Sequence, residues 1–179
     1  DTFYIYIRDN GLVKPNLSPD TTVCVGSQPL LLDGTLPLTL PQPPTFTNTQ
    51  DLVIAPPNIE VFSSINVFGV QPVILDPAVI RSVCLNISHA FDDDLDIFLI
   101  SPSGQFIELT TDNGANGANY TNTCFTPSAT IPINSPGPFA PASAAPFTGD
   151  WLPEGPWIDL WDGDYPTNGN WRLQLLDDQ

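Results

Sequence analysis

Apolar and polar residues alternate in short stretches along this chain, and no stretch repeats at helical spacing. Val83, Leu85, Ile87, His89 and Phe91 alternate with Ser82, Cys84, Asn86, Ser88 and Ala90, which predicts a half-buried strand of period two. Leu95 to Ile100 is apolar on nearly both faces, as a strand inside a sandwich would be. The turn Ser101-Pro102-Ser103-Gly104 leads into a further strand, Phe106 to Thr110. Trp171, Leu173 and Leu175 mark a last strand near the C-terminus, and Phe3–Ile7, Thr21–Val25 and Leu30–Leu32 mark candidates near the start. Strands about ten residues apart, separated by Pro, Gly, Asn and Asp, predict an all-β fold, a sandwich or jelly roll.

Proline strengthens that reading. There are 21 prolines in 179 residues, more than twice the usual ~5%. Proline is excluded from helix interiors and central strands, so long helices are ruled out nearly everywhere. Leu36 to Pro57 contains Pro37, Pro41, Pro43, Pro44, Pro56 and Pro57 and reads as an extended, partly polyproline segment. We place a boundary there. Residues 1–58 form a strand-containing arm, or the end of a preceding module, with a Pro-rich linker. Residues 59–179 are long enough for a complete domain. Thr2 to Asp9 also echoes Asn170 to Asp177: each has an aromatic near its start, alternates apolar residues and closes on Asp. Residues 1–13 therefore read either as part of the echo or as the last strand of a preceding module, in a tandem array or a subunit that lends a strand to its neighbour.

Charge removes several function classes. Four Lys and Arg stand against 20 Asp and Glu, a net charge of −16. Only Arg8, Lys14, Arg81 and Arg172 could meet phosphates, so neither nucleic acid nor an anionic membrane surface is a partner. No run of 18 apolar residues exists, so direct membrane insertion is not expected. A lone histidine, His89, cannot build a multi-histidine zinc site, and its place among Ile87 and Phe91 suits a core residue. No Gly-x-Ser-x-Gly occurs and no nucleophile accompanies His89, so no enzyme is expected.

The acids suit a hard cation. Seventeen of the 20 are Asp, and Asp92-Asp93-Asp94-Leu95-Asp96 packs four of them before an apolar strand. Adjacent carboxylates repel unless a cation compensates them. A second loop, Asp112 to Asn119, is rich in side-chain oxygens and in glycines that let carbonyls turn inward. Calcium takes six to eight such oxygens. We therefore name Asp94, Asp96, Asp112, Asn113 and Asn119 as expected calcium ligands, set against a plain solvated acidic loop. Cys84 and Cys124 lie in strand-like segments and either bridge them or stay free, with Cys24 as a third thiol. Trp151, Trp157 and Trp161 fall among prolines, where they fill a core or stack on sugar rings.

The residues also resemble a known family. Ile87-Ser88-His89 followed by Asp94-Leu95-Asp96-Ile97-Phe98-Leu99-Ile100-Ser101-Pro102-Ser103-Gly104 resembles the core signature of the proprotein convertase P domain. The Asp112–Asn119 loop, Phe147-Thr148-Gly149, Pro153-Glu154-Gly155 and the closing Asn168-Gly169-Asn170-Trp171-Arg172-Leu173 follow in the family's order. The resemblance covers about Ile59 to Gln179. It implies an eight-stranded jelly-roll β-sandwich, non-catalytic, appended to proteases, adhesins and other secreted or cell-surface proteins, with calcium in some bacterial members. Asp20 to Ser27 is similar to the first strand of immunoglobulin-like repeats in such surface proteins. The Pro-, Ser- and Ala-rich stretch Ile131 to Ala145 departs from the short convertase forms. The expected function is a calcium-stabilised extracellular module acting in structure or adhesion, with neighbouring modules or copies of itself as partners. A filament subunit joined through the arm, a carbohydrate-binding module and a protease accessory domain are the alternatives.

Overall fold

The computed structural model describes residues 2–7, 43–54, 56–71, 73–77, 79–135 and 145–179. The strand candidates at Thr21–Val25 and Leu30–Leu32, and Cys24, lie outside them. Nine strands are described: β1 Thr2–Ile7, β2 Thr45–Asn48, β3 Val61–Val67, β4 Ile80–Ile87, β5 Leu95–Ile100, β6 Phe106–Thr110, β7 Tyr120–Phe125, β8 Phe147–Trp151 and β9 Gly169–Asp177. A 3-10 turn, Asp92–Asp94, precedes β5, and one helical turn, α1 Ile158–Trp161, precedes β9.

These strands form a β-sandwich. One sheet has the order β2-β1-β4-β7-β8 and the other β3-β9-β5-β6. All pairings are antiparallel except β7 with β8. Alternation places every second residue inward. Ile65 and Val67 on β3, Trp171, Leu173 and Leu175 on β9, Leu95, Ile97 and Leu99 on β5, and Ile107 and Leu109 on β6 supply one inner face. Ile5, Val83, Leu85, Ile87, Tyr120, Phe125 and Phe147 supply the other. Together they make one continuous core. β1 and β2 come from the stretch read as an arm, and β1 pairs with β4 of the same sheet.

β5 and β6 fall on their expected residues, and β9 contains its expected core. β4 is shorter than expected. It ends at Ile87, and Phe91 is 49% exposed. His89 is half-buried rather than a core residue: its Nδ1 lies 2.8 Å from the Phe91 carbonyl oxygen and its Nε2 3.4 Å from Asp177 Oδ2. The polyproline reading gives way at Thr45–Asn48, where β2 finds a ladder partner in β1.

Cys84 and Cys124 sit opposite each other on β4 and β7 and are joined by a disulfide. They are 40 residues apart in sequence, so closing that loop removes unfolded-state entropy worth about 4 kcal/mol. On the outside of the second sheet, the Arg172 guanidinium lies 5.3 Å from the Phe62 ring centroid. One of the few cations is thus spent on an aromatic face.

Candidate metal centre

Three segments meet at one end of the sandwich: the Asp92–Asp94 turn, the 112–119 loop and the end of β9. Backbone bonds tie them. The Asp92 amide donates to the Gly117 carbonyl at 2.9 Å, and the Asp178 amide donates to the Asp94 carbonyl at 3.0 Å. Leu95 pairs with Asp177 across the β5–β9 ladder.

Asp92 is the centre of this end and is fully buried. Its Oδ1 accepts the Asn119 amide at 2.8 Å. Its Oδ2 has no hydrogen-bond partner. Two more buried carboxylate oxygens beside it in sequence or across the ladder, Asp93 Oδ1 and Asp178 Oδ1, are likewise without one. A buried carboxylate oxygen without a donor costs free energy unless it is protonated or meets a cation. Burial accordingly pushes the Asp92 carboxyl up from 3.8 to about 6; the Asn119 N–H and His89 pull it down, and Asp93 adds to the rise.

Glycine makes this packing possible. Gly114 has φ +110°, and a Cβ there would lie 2.8 Å from the Asp92 Cβ. Only glycine lets the loop close over the buried acid. Gly117 is equally confined, between Ala145 and the Gly114 carbonyl.

The expected ligands lie on the turn, on β5 and on the loop. Asp94 lies on the turn, its carboxyl raised first by lost solvation and then by Asp93 and Asp177. Asp96, on β5, is also raised by burial first, then by Asp112, Asp178 and Glu108. Asp112 and Asn119 sit on the loop with φ of 52° and 77°, turned in the left-handed region that Asp and Asn tolerate. Asn113 is buried with its Nδ2 donating to Thr110 Oγ1, to the Thr111 carbonyl and to Glu154. Thr111 Oγ1 also donates to Glu108 Oε1 at 2.6 Å. A second acidic pair, Glu108 and Glu154, thus braces the far side of the loop. Burial raises the Glu154 carboxyl.

Two features matter that the residue pattern did not single out. Asp92 is the buried acid, yet nothing in a run of three identical residues marks it. Glu154 braces the loop from 41 positions away. Among the described residues, no three Asp, Glu, His or Cys side chains converge closely enough to hold an ion by themselves. A cation here would draw on carbonyl and amide oxygens and water as well.

The tryptophans lie elsewhere. Trp157 is 8% exposed, belongs to the core and stacks on Trp161 at 6.1 Å with 3° between the planes. Trp151 is half-buried, meets Phe147 edge-on at 5.7 Å and donates to the Thr148 carbonyl.

A two-sheet β-sandwich with an acidic loop end is the class of protein these observations define. Comparison with known families agrees. Residues 81–151 match the family model of the proprotein convertase P-domain. The matched stretch runs from β4 to β8 and includes Asp92 and the whole 112–119 loop, so the recognition of a P domain is borne out for that segment. No curated protein and no solved structure matches the chain.

Proposed function

We propose that this chain is a calcium-stabilised, non-catalytic module of a secreted or cell-surface protein, serving structure or adhesion. The coarser part follows from the family: a P domain is a non-catalytic accessory β-sandwich. The calcium reading is carried by Asp92, a fully buried acid whose Oδ2 meets no donor. The donor chemistry fits. Asp92, Asp93 and Asp178 offer buried oxygens in want of positive charge, and the expected ligands Asp94, Asp96, Asp112, Asn113 and Asn119 lie on the turn, on β5 and on the 112–119 loop. When bound, calcium would neutralise their mutual repulsion and pin the 112–119 loop to the 3-10 turn. The Cys84–Cys124 disulfide supports an oxidising compartment. No described helix is long and apolar enough to cross a membrane.

Equilibrium dialysis of chelator-treated protein against labelled calcium tests the site. Sites in extracellular modules bind at roughly 10⁻⁴–10⁻³ M. The expected result is saturable uptake in that range that magnesium does not displace. Absence of uptake at several millimolar calcium would remove the calcium reading and leave the accessory-module reading standing.

A further inference from the structure

The two outer faces of the sandwich differ. On the first sheet β4 turns Ser82 and Asn86 outward, against the buried Val83, Leu85 and Ile87. On the second sheet β9 buries Trp171, Leu173 and Leu175, so Arg172 and Gln174 face out. Register places Phe62, Gln174, Phe98 and Glu108 in one outward row across β3, β9, β5 and β6, and Ser64, Arg172, Ile100 and Phe106 in the row beside it. Phe62 is 39% and Phe106 59% exposed, and Phe98 is half-buried. The Phe98 and Phe106 rings meet edge-on at 6.1 Å. Phe62 and Phe98 stand two strand spacings apart, about 9.6 Å, with Gln174 between them. The three rings thus make an aromatic strip across the whole sheet.

A positive charge sits inside this strip. The chain has 20 acids against four bases, yet among the described residues no carboxylate forms an ion pair with Arg172. Its guanidinium lies instead 5.3 Å from the Phe62 ring centroid. Glu108, the one carboxylate in the two rows, accepts Thr111 Oγ1 at the far edge of the strip. Arg172 is therefore held in place by a ring, with a planar fork of donors suited to a carboxylate brought by a ligand. The sheet's backbone groups are spent in its ladders, so a peptide laid on this face would find no partners for its own N–H and C=O groups. A sugar chain carries no such row of amides. Its rings offer C–H faces to aromatic side chains and hydroxyls to groups such as Gln174 and Ser64.

We propose that the outer face of the second sheet binds a glycan bearing uronic acid units: sugar rings stack on Phe62, Phe98 and Phe106, and one carboxylate meets Arg172. One cation on a chain of charge −16 suits widely spaced carboxylates and not a dense polyanion. The strands hold the three rings and the guanidinium in place before the ligand arrives, which limits the entropy lost on binding. The face uses none of the acids of the calcium reading and stands whether or not that reading does.

Isotopically labelled protein is titrated, in chelator, with a hexasaccharide of alternating glucuronate and N-acetylglucosamine and with its carboxyl-reduced, neutral form, and amide shifts are followed by NMR. The expected result is saturable shifts at Phe62, Phe98, Phe106 and Arg172, with the acidic form bound roughly tenfold more tightly. Arg172→Gln is expected to bind the two forms equally, and Phe106→Ala to bind both several-fold more weakly. No shifts at several millimolar sugar, equal binding of the two forms by the parent, or shifts confined to the 112–119 loop or to Trp151–Trp161 overturns the proposal. So does a Phe106→Ala protein that binds as the parent does. An acidic peptide that moves the same amides at lower concentration than the hexasaccharide overturns the glycan in favour of a protein partner. Should a variant fail to fold, the shift map and the acid-to-neutral ratio of the parent still decide.

Discussion

Replacing Asp92 with asparagine is expected to raise the melting temperature of calcium-free protein at pH 7 and to abolish its response to calcium. The physical reason is the position of one proton. Asp92 is fully buried, and one of its two oxygens accepts the Asn119 amide while the other meets no donor. Burial raises its carboxyl from 3.8 to about 6. The folded state therefore holds this proton more tightly than the unfolded chain does. Stability from this group is present below about pH 4 and is lost as pH rises towards 6. At 1.36 kcal/mol per pKa unit the ionised form costs the calcium-free fold about 3 kcal/mol at neutral pH. Asparagine keeps the acceptor for Asn119 and carries no charge, so it recovers much of that cost, roughly 6–10 °C in melting temperature. Other acids also lose repulsion on acidification in a chain of charge −16. The readout is accordingly the difference between the two proteins from pH 7 to pH 5: the parent gains more on acidification than D92N does. With calcium present the gap between the two proteins narrows, because the ion compensates the aspartate of the parent and has no charge to meet in the variant. Equal pH slopes in the two proteins would show that Asp92 is not the strained acid.

Trp171→Ala is expected to cost about 3–5 kcal/mol. Trp171 is the largest fully buried side chain, faces Ile65 across the β3–β9 ladder, and its Nε1–H donates to the Thr167 carbonyl at 3.0 Å. Alanine leaves a cavity at the centre of the second sheet and strips that carbonyl of its donor. Domains of this size hold only about 5–15 kcal/mol in all. Urea unfolding should show a lower midpoint with an unchanged slope. A loss under 1 kcal/mol would mean that this end of the core is not packed as described.

Much of this fold was legible in the sequence where period two is clean. β5 and β6 are apolar at the right interval and separated by a Pro-Ser-Gly turn, so both fell on their expected residues. β9 is marked by Trp171, Leu173 and Leu175. Other strands were hidden by their own residues. β3 carries Ser63 and Ser64 at its middle, and β8 has three exposed positions in five. β2 stands directly after Pro43 and Pro44, and only its pairing with β1 makes it a strand. His89 and Phe91 continue the alternation of β4 beyond its end, because pattern alone does not say where the ladder stops.

The candidate site was legible as a composition, not as a geometry. The Asp run and the Asp112–Asn119 loop were visible as two oxygen-rich segments, and the structure brings them together at one end of the sandwich. Which aspartate is buried depends on Gly114 closing over Asp92, a contact between residues 22 positions apart (114 − 92). The Glu154 brace and the Cys84–Cys124 bridge depend on the same long-range register. No local spacing encodes any of these.

Calorimetric melting of the chelator-treated protein, with and without millimolar calcium and with magnesium as control, decides between a calcium site and a solvated acidic face. At calcium tenfold above the dissociation constant, binding adds about 1.4 kcal/mol. A calcium-specific rise of roughly 3–6 °C is expected. An unchanged melting temperature in calcium, or an equal rise in magnesium, would contradict it.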